Sequence, residues 1–335
     1  MASASSSNTS SSTSFNASPN TSSNASSIAS LDASLNTSFS TPLELALTQS
    51  ATLGEGLQWH DGRWWWTDIE GATLQAWRPG DAATSVCPLP DRLGSFAHCR
   101  SGRVLLGLSK RLAFSTLDDA LALSSLETVT PVDAAEPRTR INDGRTDRRG
   151  HFVFGTMNEA KERRTIASFY QFSMRHGLRR LALPAVAIAN SLCFSLDGRT
   201  MYFCDTLTRR IQQCAYDAES AQVADLRLFA EMDLAQAWPD GSTIDAEGCL
   251  WNAQWGAGRV ARYDPEGRLM GVFTAPAAHT SCPAIGGPGL DQLMLTTARQ
   301  ELSREALAAQ PLSGSLFGLR LPRALGVPDT LFDDR

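Results

Sequence analysis

One short phrase returns along this chain: an apolar run, a tight turn closed by glycine, then a second run of strand-forming residues. It reads HDGRWWWTD, RSGRVLLGL, DRRGHFVFGT, LDGRTMYFCD and AEGCLWNAQ, with turn glycines Gly62, Gly102, Gly150, Gly198 and Gly248. The intervals are 40, 48, 48 and 50 residues, and a looser sixth copy, GPGLDQLMLTTA, places Gly289 a further 41 residues on. A third strand follows in several copies, as at Leu74–Trp77, Ile211–Tyr216 and Arg259–Tyr263. The pairs Asp61-Gly62 and Asp197-Gly198 favour tight hairpins, because both residue types accept the left-handed backbone such turns need. A repeat of roughly 40–50 residues carrying three or four strands is the pattern of a propeller blade. Stacked helical repeats would instead show a 3.6-residue apolar period, which is scarce here. Six copies therefore predict an all-β chain, a six-bladed β-propeller over residues 48–325.

Residues 1–41 differ in kind. They are nearly all Ser, Thr, Asn and Ala, with Asp32 the only charge. A segment so poor in apolar surface cannot offset its chain entropy, and a disordered tail is expected. The rest has ample material for a core: apolar residues are 42 % of the chain and charged residues 19 %. The net charge of −5 and the lack of any dense Lys/Arg block argue against a nucleic-acid partner. No apolar run approaches the roughly 18–20 residues of a membrane span. The first basic residue is Arg63, so neither a secretory signal nor an arginine-rich presequence is evident, and the expected compartment is the cytoplasm. Seven cysteines, at 87, 99, 193, 204, 214, 249 and 282, are scattered and never spaced C-x-x-C. Buried reduced thiols explain them better than disulfides or zinc.

Blades are related by rotation about a central channel, so residues at one offset in several blades converge on that axis. Eight residues before Gly150, Gly198 and Gly248 stand Asn142, Asn190 and Asp240; seven before Gly62 stands Glu55. Singly, each is an ordinary turn or strand-start residue. Their shared offset is what no single turn explains. Two carboxylates and two amides form an oxygen-only set suited to a hard cation such as Ca²⁺, Mg²⁺ or Mn²⁺. The five histidines show no zinc pattern, and no G-x-S-x-G elbow signals a serine nucleophile. Trp64, Trp65 and Trp66 fall in one strand, so alternate rings should pack to opposite sides between blades. Trp255, in the WGAG turn, lies nearer a channel mouth and is a candidate to flank a ligand.

Four stretches, LGEGLQW (53–59), RINDGRTDRRGHFVFGTM (140–157), IANSLCFSLDGRTMYFCD (188–205) and PDGSTIDAEGCLWNA (239–253), resemble the gluconolactonase family that includes regucalcin. The similarity runs from about residue 50 to 322. It implies a six-bladed propeller with one divalent cation at the channel mouth, Ca²⁺ first, with Mg²⁺, Mn²⁺, Zn²⁺ or Fe²⁺ as alternatives. By motif, Glu55, Asn190 and Asp240 would be its ligands, with Asp240 also the catalytic base. Arg140 and Asn142 match a pair that grips substrate, whereas the offset alone also allowed Asn142 as a ligand. Family members often carry an acidic residue shortly after GTM that binds a sugar hydroxyl; here Glu159, or else Glu162, takes that place. CLWNAQWGAGRVARYDPEGR (249–268) looks most like bacterial aldonolactonases of pentose and hexose catabolism. The implied reaction is opening of a sugar lactone, such as an L-arabinono-, galactono- or gluconolactone, to its acid. An aryl ester or phosphotriester hydrolase on the same cation, or a calcium-binding protein without activity, are the alternatives. The expected partner is the small sugar lactone, with no nucleic acid and no membrane, in a monomer or homodimer.

Overall fold

The computed structural model describes residues 40–335, so all but the last two residues of the expected tail lie outside it. The described chain opens with two short strands, β1 (Ser40–Pro42) and β2 (Glu44–Leu47). Six repeats follow. Blade 1 is β3 (Gly54–His60), β4 (Arg63–Asp68), β5 (Thr73–Trp77) and β6 (Ser85–Pro88). Blade 2 is β7 (Leu93–His98), β8 (Val104–Leu108), β9 (Arg111–Ser115) and β10 (Glu127–Pro131). Blade 3 is β11 (Thr139–Thr146), β12 (Phe152–Asn158), β13 (Phe169–Ser173) and β14 (Gly177–Arg180). Blade 4 is β15 (Ala189–Phe194), β16 (Thr200–Asp205), β17 (Arg210–Asp217) and β18 (Gln222–Glu231). Blade 5 is β19 (Trp238–Ile244), β20 (Leu250–Trp255), β21 (Arg259–Tyr263) and β22 (Leu269–Thr274). Blade 6 takes β23 (Thr280–Gly286), β24 (Gln292–Thr297) and β25 (Leu316–Arg320) from the end of the chain and β2 from its start. A short helix, α1 (Arg304–Ala309), interrupts it. The first strands touch in the cyclic order β3, β7, β11, β15, β19, β23 and back to β3, which closes the six-bladed propeller.

The chain's start closes the ring. β2 pairs antiparallel with β25, and β1 adds a fifth strand to blade 5, parallel to β22. Ser40 and Thr41, placed by sequence in the tail, are thus strand residues, and the ordered fold begins ahead of residue 48. It also runs past residue 325. The last stretch crosses the hairpin side of the ring. Leu325 O accepts from Ala246 N, Asp329 pairs with Arg145 at 2.8 Å, and Phe332 is fully buried among blades 2 and 3.

The turn glycines behave as read. Gly62, Gly102, Gly150, Gly198 and Gly248 all have φ between 71° and 91°, in the hairpins joining first and second strands. Two are completed by an aspartate. Asp147 Oδ1 accepts from the N–H groups of Arg149 and His151, and Asp245 Oδ1 from those of Glu247 and Cys249. In the sixth copy the left-handed glycine is Gly287, at φ 82°, not Gly289.

Because strand side chains alternate, each inner blade buries both faces, and the cores lie between blades. Trp64 and Trp66 pack with Cys282 and Met294 of blade 6, while Trp65 points the other way, onto Phe96 and Leu106 of blade 2. Val153 and Phe169 of blade 3 meet Phe194 and Phe203 of blade 4, and Trp251 of blade 5 meets Phe317 of blade 6. All seven cysteines are free and buried. Among the described residues no helix is long and apolar enough to cross a membrane.

Candidate active site

Every first strand breaks its register near its start. The pairing slips between Glu55 and Gln58, Leu93 and Ser95, Ile141 and Gly144, Asn190 and Cys193, Pro239 and Ser242, and Thr280 and Pro283. Such a bulge bends the strand and re-aims the side chain beside it. The four residues at the common offset, Glu55, Asn142, Asn190 and Asp240, stand at these bulges, and all four line one cavity of about 300 Å³. The other two blades explain why the ring holds only four. Blade 2 offers Gly94, where any Cβ would lie 2.3 Å from Ile141 O. Blade 6 offers Ser281, whose hydroxyl donates to Gly54 O at 2.6 Å.

Two buried carboxyls, Glu55 and Asp240, make part of the cavity lining acidic. Glu55 and Asp240 lie close enough for each carboxyl to perturb the other. Burial raises the pKa of both carboxyls well above the usual range. Asp143 repels both, and Glu55 adds its own repulsion on Asp240. Against this, Gly56 N–H donates to Glu55 Oε2 at 3.0 Å. A chain of polar contacts links the ring laterally. Arg140 Nη1 donates to Asn142 Oδ1 at 2.8 Å and Asn142 Nδ2 to Asn190 Oδ1 at 3.0 Å. Asn190 Nδ2 donates to Thr206 Oγ1 at 2.9 Å, and that hydroxyl to Pro239 O at 3.0 Å. Ser191 braces the next step. Its Oγ donates to Asp240 O at 2.6 Å and accepts from Asn252 Nδ2 at 3.1 Å.

Arg140 lines the cavity from the start of β11 and is only 3 % exposed. Burial lowers its pKa to about 10, opposed by Glu159 and Glu70, so it stays charged. Glu159 is near it, at 3.5 Å from Arg140 Nε, but does not line the cavity. Both its oxygens are taken by Arg92, at 2.6 and 2.9 Å. Glu162 is exposed. Trp255 lines the cavity, as its turn position indicated. Sequence reasoning missed Arg163, Thr206, Leu207, Trp238 and Glu301, which also line the cavity. They come from connecting loops or strand ends that share no repeat offset, so periodicity could not find them.

The ring residues fit a divalent cation. Two buried carboxyls lie close enough to repel one another, and Arg140's guanidinium is turned to Ile141 O and Asn142 Oδ1. Among the described residues no histidine or cysteine lines the cavity, so the donors are oxygens, the set preferred by hard cations. A second acidic group, Asp245, Glu247 and Cys249, lies in a blade 5 hairpin. There Arg262 donates to Asp245 Oδ2 at 2.7 Å and to Glu247 Oε2 at 2.6 Å, while Arg323 reaches Glu247 Oε1 at 2.6 Å, so arginines already neutralise it.

Known proteins share this arrangement of sequence and fold. The chain is 43 % identical over 288 residues to an L-arabinolactonase of Azospirillum brasilense, covering 83 % of this chain and 93 % of that protein. It is 28 % identical over 297 residues to a regucalcin of Xenopus laevis, covering 87 % and 98 %. The crystal structure of a calcium-binding protein, regucalcin, from Agrobacterium tumefaciens superposes with a TM-score of 0.78 at 29 % identity, over 88 % of this chain and 99 % of that one. Residues 53–299, which hold every ring residue, match the family model described as SMP-30/Gluconolactonase/LRE-like region, and the chain belongs to that family.

Proposed function

We propose that this protein hydrolyses a sugar lactone to the open-chain acid, with one divalent cation held by Glu55, Asn190 and Asp240. The observation that carries the reading is the convergence of two buried carboxyls and an amide oxygen on one cavity that Arg140 also lines. The similarity to an L-arabinolactonase supports an aldonolactone substrate, with L-arabinono-, galactono- and gluconolactones the first to try. Ca²⁺ is the first candidate cation, since the donors are all oxygen.

The cation, when bound, polarises the lactone carbonyl and makes a neighbouring water more acidic. Asp240 takes a proton from the attacking water as its oxygen bonds to the carbonyl carbon. It returns that proton to the ring oxygen as the carbon–oxygen bond breaks, leaving a hydroxyl and a carboxylic acid that ionises. Arg140 and Asn142 hold the substrate's polar edge. Asn142 Oδ1 accepts from a cation, Arg140, whereas Asn190 Oδ1 accepts only from the neutral Asn142 amide, which favours a place for Asn142 on substrate rather than metal. Glu159, bound to Arg92 and behind Arg140, acts by holding Arg140 in place.

Asp240→Asn tests the base. Turnover should fall by roughly 10²–10⁴, the usual worth of general-base help, in protein shown by elemental analysis to keep its cation. Wild-type-like turnover would remove Asp240 from that role.

A further inference from the structure

We propose that Trp255 is a stacking platform that sets which face of the lactone the site accepts; this rests on the lactone-hydrolase reading above. Trp255 ends β20 directly opposite Trp238, the first residue of β19, and both line the cavity two residues from Asp240's level in the strand. The pair is built into the blade. His279 stacks on Trp255 with ring centroids 4.1 Å apart and planes 14° from parallel, and His279 does not itself line the cavity. The imidazole is fixed in turn, with Nδ1 3.0 Å from Gln300 O. Leu53 and Ala298 pack against the indole as well. Gly256 makes room for the partner ring. At its φ of 83°, a Cβ would come within 2.5 Å of Gln236 O and 2.9 Å of the Trp238 ring.

Another part of the lining is cationic. Arg140 and Arg163 come from blade 3, and Arg163 is tethered by its Nη1 to Asn158 O at 2.6 Å. The cavity lining therefore brings together two buried carboxyls, two guanidinium groups and two indoles, with the Glu301 carboxylate also at the lining. A sugar lactone is matched to that combination. Its ring carries C–H groups on its faces and hydroxyls that project to one side or the other. With the carbonyl beside the two buried carboxyls, the C–H face lies on the indole, and hydroxyls project toward the guanidinium groups. A hydroxyl turned onto the indole would lose water without gaining a partner, a cost that C–H groups do not carry. Neither indole N–H has a partner within the protein among the described residues, so each is free to donate to a hydroxyl at the ring edge.

The test uses the full chain loaded with Ca²⁺ and two aldono-1,4-lactones that differ only in the face carrying one hydroxyl. Wild type should prefer one epimer. Trp255→Ala should raise KM for it by about 10- to 100-fold with kcat changed less than about threefold, and the preference should shrink toward parity. Trp255→Phe, which keeps a flat ring, should retain most of both. An unchanged KM and preference in Trp255→Ala would overturn the platform. Tryptophan fluorescence during lactone titration reads the contact without turnover. A signal lost in Trp255→Phe, in a wild type that hydrolyses nothing, would keep the platform and remove the hydrolase reading. No lactone-dependent signal in wild type would remove the platform.

Discussion

Ser191 has φ 61°, a left-handed backbone that costs a non-glycine residue about 1–2 kcal/mol. It stands between Asn190 and the bulge of β15, fully buried, with its hydroxyl on the carbonyl of Asp240. Strain at that point is consistent with a site held in place by its surroundings. The sequence named the ring residues themselves, because an offset of seven or eight residues from a turn glycine is visible in one dimension. It could not show that Ser191 braces Asp240, since that contact spans two blades. His98 carries a second residue-scale consequence. It is buried against His60, ring centroids 4.1 Å apart, and its Nε2 has no partner. Burial first, and His60 second, push its pKa down to about 3 from 6.5. The folded protein thus refuses a proton that the unfolded chain accepts. This stability is intact above pH 6.5 and is lost as pH falls toward 3, by up to about 1.4 kcal/mol per unit. Urea unfolding between pH 7.5 and 4.5 should show that slope in wild type and a shallower one in His98→Gln. Equal slopes would mean His98 is not the group responsible.

At the scale of elements, the hairpin glycines and strand runs of five blades follow from sequence because each blade repeats one local rule. The sixth was harder. Its turn, Gly286 to Gln292, uses Gly287 where alignment by spacing pointed to Gly289, since the loop is longer and its φ values are shared with Leu290. The bulges were not legible at all. They become visible only when two strands are paired, yet they turn the ring residues toward the channel. β1 and β2 were also missed, because Ser40–Leu47 carries no copy of the repeat and pairs with strands more than 200 residues away. A chain starting at residue 48 would leave the outer edge of β25 unpaired and remove Leu43 from the core of blades 5 and 6. Its melting temperature should fall by on the order of 5 °C or more below that of a chain starting at Ser40. Equal melting would show that β1 and β2 add nothing to closure.

For the molecule as a whole, the first and last described segments secure the ring at different places. The start fills the outer positions of blades 5 and 6, and the end runs across the hairpin side, where Asp334 accepts from Ser101 N and Arg103 Nε. Neither the crossing nor the Asp329–Arg145 pair could be read from LPRALGVPDTLFDDR, which carries no repeat. The ring residues sit at the opposite ends of the first strands. What the whole scaffold provides is a rigid circle of bulged strands that brings Glu55, Asn190 and Asp240 together from blades far apart in sequence. The direct test of that arrangement is acid release from aldono-1,4- and 1,5-lactones by metal-stripped protein. Ca²⁺, Mg²⁺, Mn²⁺, Zn²⁺ and Fe²⁺ would be added back singly, beside Glu55→Gln. Ring opening that returns with a divalent cation in wild type, and fails to return in Glu55→Gln, is the predicted result. Full activity in the stripped protein, or silence across every lactone with cation bound, would contradict it.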